Sequence, residues 1–137
     1  MNFNFHENYL AMNKNSERKF DLEERLIDYA ILISDLVEQL PNTKLANYIG
    51  GQIIRSGTSP ALNYGEAQSA ESVNDFIHKL KIILKELRES NICLKVLLRK
   101  SYPNVNDLLI AAQTETVELI SIFVKSIKTA QSNLAKK

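Results

Sequence analysis

From Asp21 to Leu40 apolar residues return every third or fourth position, at Leu22, Leu26, Tyr29, Ile33, Leu36 and Leu40, which gathers them on one face of an α-helix. Pro41 stops it. A second helix is predicted to start with Asn42 or Thr43 as N-cap and to run through Leu45, Tyr48, Ile49 and Ile53 toward Arg55. Pro60 lacks an N–H and crowds the carbonyl four residues earlier, so a kink or a short break is expected around Ser56–Pro60 before helix resumes to about Ala70. The third segment is the most regular. Val73, Phe76, Leu80, Ile83, Leu87, Ser90, Leu94 and Leu97 alternate in steps of three and four, while Ile77, Leu84 and Leu98 widen the stripe into that of a bundle helix. It should run from about Ser72 to Arg99, roughly 40 Å at 1.5 Å per residue. After a turn at Pro103 and Asn104, a fourth helix from about Val105 to Ala130 buries Leu108, Leu109, Ala112, Thr116, Leu119, Ile120, Phe123 and Ile127.

Four helices with short connections form an all-α, up-and-down antiparallel four-helix bundle over residues 20–137. Residues 1–19 show no sustained period and read as a flexible N-terminal arm, in which Phe3, Phe5, Tyr9 and Leu10 could dock. The composition agrees. Four glycines and three prolines in 137 residues are too few for the repeated turns of a sandwich or barrel. One cysteine makes no intrachain disulfide, and the sequence offers neither a secretory leader nor about 18 uninterrupted apolar residues, which points to a cytoplasmic protein with no membrane partner.

Some apolar positions fall outside the core faces. Ile110, Val117 and Val124 lie seven apart on a second face of the fourth helix, and Ile27 and Ile31 lie off the main face of the first. Such a surplus fits a subunit interface, or alternatively a helix buried widely within one bundle.

Polar chemistry concentrates in two places. Gln52, Arg55, Ser59, Asn63 and Glu66 step by three, four, four and three, a single ridge on a near-continuous second helix. Arg55 and Glu66 are about 16 Å apart by rise and cannot pair with each other, so each needs a partner elsewhere. Gly57, Ala61, Gly65, Ala67 and Ala70 are small enough to admit a neighbouring helix. The ridge is then a hydrogen-bonding device that fixes bundle register, a ligand or nucleic-acid contact, or a catalytic element, although no nucleophile–base pair is visible.

This ridge, followed by Asp75-Phe76-Ile77-His78-Lys79-Leu80-Lys81 and Glu86-Leu87-Arg88-Glu89-Ser90, resembles the four helix bundle proteins encoded by intervening sequences of bacterial 23S ribosomal RNA genes, also called the S23 ribosomal protein family. The likeness covers roughly Phe20 to Arg99. It implies a four-helix bundle that assembles as a homopentamer with no established enzymatic activity, and the related accessory variability determinant of diversity-generating retroelements suggests a nucleic-acid-binding surface on such pentamers.

The second concentration is read from the residues alone. His78, Lys81, Lys85, Arg88, Lys95 and Arg99 make one stripe on the third helix, about 31 Å long and interrupted at Ile92. Between Ser72 and Lys100 seven Lys and Arg face three acids, a net of +4, whereas the first helix sets six acids against Arg25 alone, a net of −5. The overall charge of +1 conceals this division. A ladder of cations is the footprint of RNA or DNA binding through the phosphate backbone. The bland reading is a solvated face with Asp75–Lys79 and Lys85–Glu89 pairs, neutralised by the acidic first helix within or between subunits. In that alternative the protein is a structural or protein-interaction oligomer.

Other chemistries find little support. Asp75-x-x-His78 is half of a di-iron motif, but the remaining histidine, His6, lies in the arm, so no metal or other cofactor is expected. Cys93 reads as a small buried filler, with a reactive thiol as the alternative. Gly50-Gly51 lacks a phosphate-loop lysine, and no small-molecule substrate is identified.

Overall fold

A computed structural model describes residues 21–136. The expected arm of residues 1–19, with His6 and the aromatics read there as able to dock, lies outside the described residues. Four helices follow in order: α1 (Leu22–Glu38), α2 (Lys44–Gln68), α3 (Val73–Lys100) and α4 (Asn106–Ala135). Three begin on a side-chain cap that satisfies an otherwise unpaired N–H of the first turn. Asp21 Oδ1 accepts from Glu24 N at 3.3 Å, Thr43 Oγ1 from Ala46 N at 3.1 Å, and Ser72 Oγ from Asp75 N at 3.0 Å. Ser101 closes α3 in the left-handed conformation, at φ 55°.

Two expectations are narrowed by the helix bounds. α2 runs from Lys44 to Gln68 as one helix with Pro60 inside it, so of the expected kink or short break the break does not occur. Pro60 is buried; nearby, Thr58 Oγ1 bonds the Ile54 carbonyl at 2.6 Å and Asn63 Nδ2 the Ser59 carbonyl at 3.1 Å. α4 also extends five residues beyond Ala130, through a polar tail that carries no periodic signal.

α1 packs on α2, α2 on α3, α3 on α4 and α4 back on α1 along the thinnest of the four seams. The predicted faces form the core: Leu22, Leu26, Ile33, Leu36, Phe76, Leu80, Ile83, Leu87 and Phe123 have no exposed surface. The Tyr64 ring meets Phe123 edge-on with centroids 6.2 Å apart. Gly57 is a point of close approach, because a Cβ there would lie 2.9 Å from Ile33 Cγ1. Gly65 is not, since nothing lies within 4 Å of its missing Cβ.

A polar layer crosses this core, with a contribution from every helix. Thr116 Oγ1 on α4 donates to the Ala112 carbonyl at 2.6 Å, so it accepts the Tyr29 hydroxyl of α1, also at 2.6 Å. Ser90 of α3 lies beside the same hydroxyl and pairs with Ser56 of α2 at 2.8 Å. All four residues are buried.

Candidate nucleic-acid interface

The polar ridge of α2 lies along the α2–α3 seam, where its charged ends find the partners the sequence demanded. Arg55 Nη1 donates to Glu86 at 3.0 Å, and Nη2 pairs with Glu89 and reaches Gln52 Oε1 at 3.4 Å. Glu66 accepts from Lys79 Nζ at 3.3 Å. Between them, Asn63 Nδ2 donates to Ser59 Oγ at 2.8 Å. The pairs follow antiparallel register. As sequence positions rise on α2 they fall on α3, so the ridge is an interhelical clasp.

That clasp changes the basic stripe. Glu89, the expected i+4 partner of Lys85, is engaged by Arg55, and Lys79 turns to Glu66 instead of Asp75. His78, Lys81, Lys85, Arg88, Lys95 and Arg99 are all exposed, and none pairs with an acid among the described residues. Arg88 stands two positions from Glu86, about 200° around the helix at 3.6 residues per turn. Since Glu86 faces α2, Arg88 faces outward on the α4 flank. Lys81 bears the same relation to Lys79. α1 packs on α2 and α4, so its acids lie across the bundle from the stripe and do not neutralise it within the chain.

The fourth helix places two further cations at the level of the stripe's N-terminal half, Lys128 on the outer face and Lys125 on the face it shares with Glu118. Ser90 and Thr116 mark one level of the antiparallel pair α3 and α4. Nine residues outward on each helix lie Lys81 and Lys125, and twelve residues outward His78 and Lys128. Both lysines are exposed. Their signal is in the sequence, since no acid follows Glu118, but it emerges only when the two helices are set side by side.

The candidate interface residues also lie at the surface. Ile27 is 41% exposed, Ile31 57%, Ile110 49% and Val117 51%, while Val124 is half-buried. Arg25 ties α1 to α4 through Glu115 at 2.6 Å and Glu118 at 2.7 Å. Val117 is two positions from Glu115, so the apolar stripe of α4 lies on the flank away from α1, toward α3. Cys93 is buried, and desolvation with Glu89 nearby pushes its thiol pKa up, against the thiolate character of a reactive cysteine. Among the described residues no cluster of three or more His, Cys, Asp or Glu could hold a metal, and no helix is long and apolar enough to cross a membrane.

Fold and surface together define a small all-α bundle protein with a clasped α2–α3 seam and an exposed charged exterior. A family model described as 23S rRNA-intervening sequence protein matches residues 18–125, and the chain belongs to that family. A crystal structure of a protein of unknown function from the S23 ribosomal protein family of Bacteroides thetaiotaomicron is similar to it, with 31% identity over 79% of this chain and 99% of that one, at a TM-score of 0.71. No curated protein matches the chain.

Proposed function

We propose that this chain is a non-enzymatic, homo-oligomeric bundle protein of the cytoplasm that binds structured RNA or another nucleic acid through the basic stripe of α3. Five assembled copies are what the family resemblance implies. The observation that carries the nucleic-acid reading is the exposure of six basic residues with no ion pair among the described residues, while Glu86 and Glu89 of the same helix are engaged by Arg55. Among the described residues exposed aromatic rings do not interleave with the stripe, which favours contacts to phosphate over base stacking.

Gel-shift titration against ribosomal RNA fragments tests it. Binding should fall ~100-fold or more between about 50 and 200 mM salt, as expected for roughly five phosphate contacts. Charge reversal at Lys81, Lys85 and Arg88 should weaken it at least ~10-fold at low salt, in line with the loss of three such contacts. Equally negligible binding by wild type and variant overturns the reading.

The exposed isoleucines favour a second reading, a structural or protein-interaction oligomer without a nucleic-acid role. It predicts that wild type assembles in light scattering yet binds no RNA in the same titration at low salt.

A further inference from the structure

Two exposed faces of the bundle are complementary in charge and in apolar content, yet they cannot meet within one chain. The first is the outer side of α1, where Ile27 and Ile31 stand one turn apart among Glu24, Asp28 and Asp35. All five are exposed, and none of the three carboxylates has an ion-pair partner among the described residues. The second is the outer side of the α3–α4 seam. Ile92, 59% exposed, interrupts the cations of α3, and Ile110 and Val117 line the facing flank of α4.

Register brings these three apolar residues together. Counting from the Ser90/Thr116 level, Ile92 lies opposite residue 114, midway between Ile110 and Val117. Arg88 and Lys95 flank Ile92 at four and three residues. The α4 acids near this level, Glu115 and Glu118, are held on the far flank by Arg25, and Asp107 sits at the end of the seam. An apolar centre rimmed by charge is the anatomy of a protein interface.

We infer that a second copy of this chain covers the seam, its α1 face seated on Ile92, Ile110 and Val117 with Asp28 and Asp35 against Arg88 and Lys95. The inference rests on the homo-oligomer reading above and names the surfaces that meet. Like faces are excluded by sign: two α1 faces would oppose acid to acid, and two seams base to base. The contact is therefore heterologous, and repeating one such contact builds a ring when its rotation closes. It also divides the basic stripe. The C-terminal half around Ile92 belongs to the neighbouring copy. His78, Lys81 and Lys85, with Lys128 at the same end on α4, remain for a polyanion.

Light scattering after size exclusion at about 50 mM salt, where surface charges are weakly screened, tests the pairing with exposed residues only. Asp28→Lys with Asp35→Lys should reduce the assembly to single chains, and so should Arg88→Glu with Lys95→Glu. All four substitutions in one chain should restore the wild-type mass, because the faces then match again with their signs exchanged. Wild type running as a single chain at tens of micromolar would sink the homo-oligomer reading and this pairing together. An assembled wild type whose mass survives either reversal, or a four-fold variant that stays monomeric, overturns the pairing alone.

Discussion

Gly51 and Gly57 show how differently two glycines of one helix can respond to a methyl group. Gly51 is exposed and has nothing within 4 Å of a built Cβ, so Gly51→Ala should raise stability by about 0.5–1 kcal/mol through helix propensity. At Gly57 the Ile33 side chain would be met at 2.9 Å, and its own Cβ at 3.2 Å leaves little room to swing aside. Gly57→Ala should therefore cost about 1–3 kcal/mol, and urea denaturation of the two variants should move the midpoint in opposite directions. Two tyrosines set an alkaline limit. Burial raises the pKa of Tyr29 and Tyr64, so both hydroxyls stay neutral in the folded chain above their ordinary value. Their contribution is complete below about pH 10 and is lost as pH rises through the folded values. Thermal midpoints should accordingly fall on the alkaline side of about pH 10, and Tyr29→Phe should flatten that fall while costing about 1 kcal/mol at neutral pH for its bond to Thr116.

At the scale of elements, the apolar period identified every helix because each buries one continuous face. Its failures have local causes. Pro60 signalled a kink or a short break from the chain alone, and the helix continues through it without the break. The ridge from Gln52 to Glu66 was legible as a set of groups needing partners, but not as a clasp on Glu86, Glu89 and Lys79, since pairing between helices depends on register. The expected Lys85–Glu89 pair lost to Arg55 for the same reason. The turn after α3 holds a further element-scale consequence. Ser101 adopts the left-handed conformation that costs an L-residue roughly 1 kcal/mol and glycine almost nothing, so Ser101→Gly should stabilise the chain by up to about 1 kcal/mol in thermal or urea unfolding.

For the whole molecule, a net charge of +1 describes neither surface. Glu86 and Glu89 of α3 turn to α2, its stripe cations stay exposed, and the acids of α1 lie across the bundle. Lys128 extends the cationic end onto a second helix, which a reading confined to single helices could not show. Charge reversal at Lys128 should weaken RNA binding by about 3-fold at low salt, measured by the same titration, while leaving the assembled mass unchanged.

The polar layer of Tyr29, Ser56, Ser90 and Thr116 bears on which misassembled states the bundle rejects. Sliding α4 by one heptad would bring Leu109 or Phe123 to the level of Thr116 and strand the Tyr29 hydroxyl among apolar groups, a penalty of about 1–3 kcal/mol. Exchanging α4 between two copies would rebuild the same quartet from two chains. The layer therefore guards against slippage but not against exchange, and the length of the α3–α4 turn, from Ser101 to Val105, is what keeps the fourth helix on its own chain.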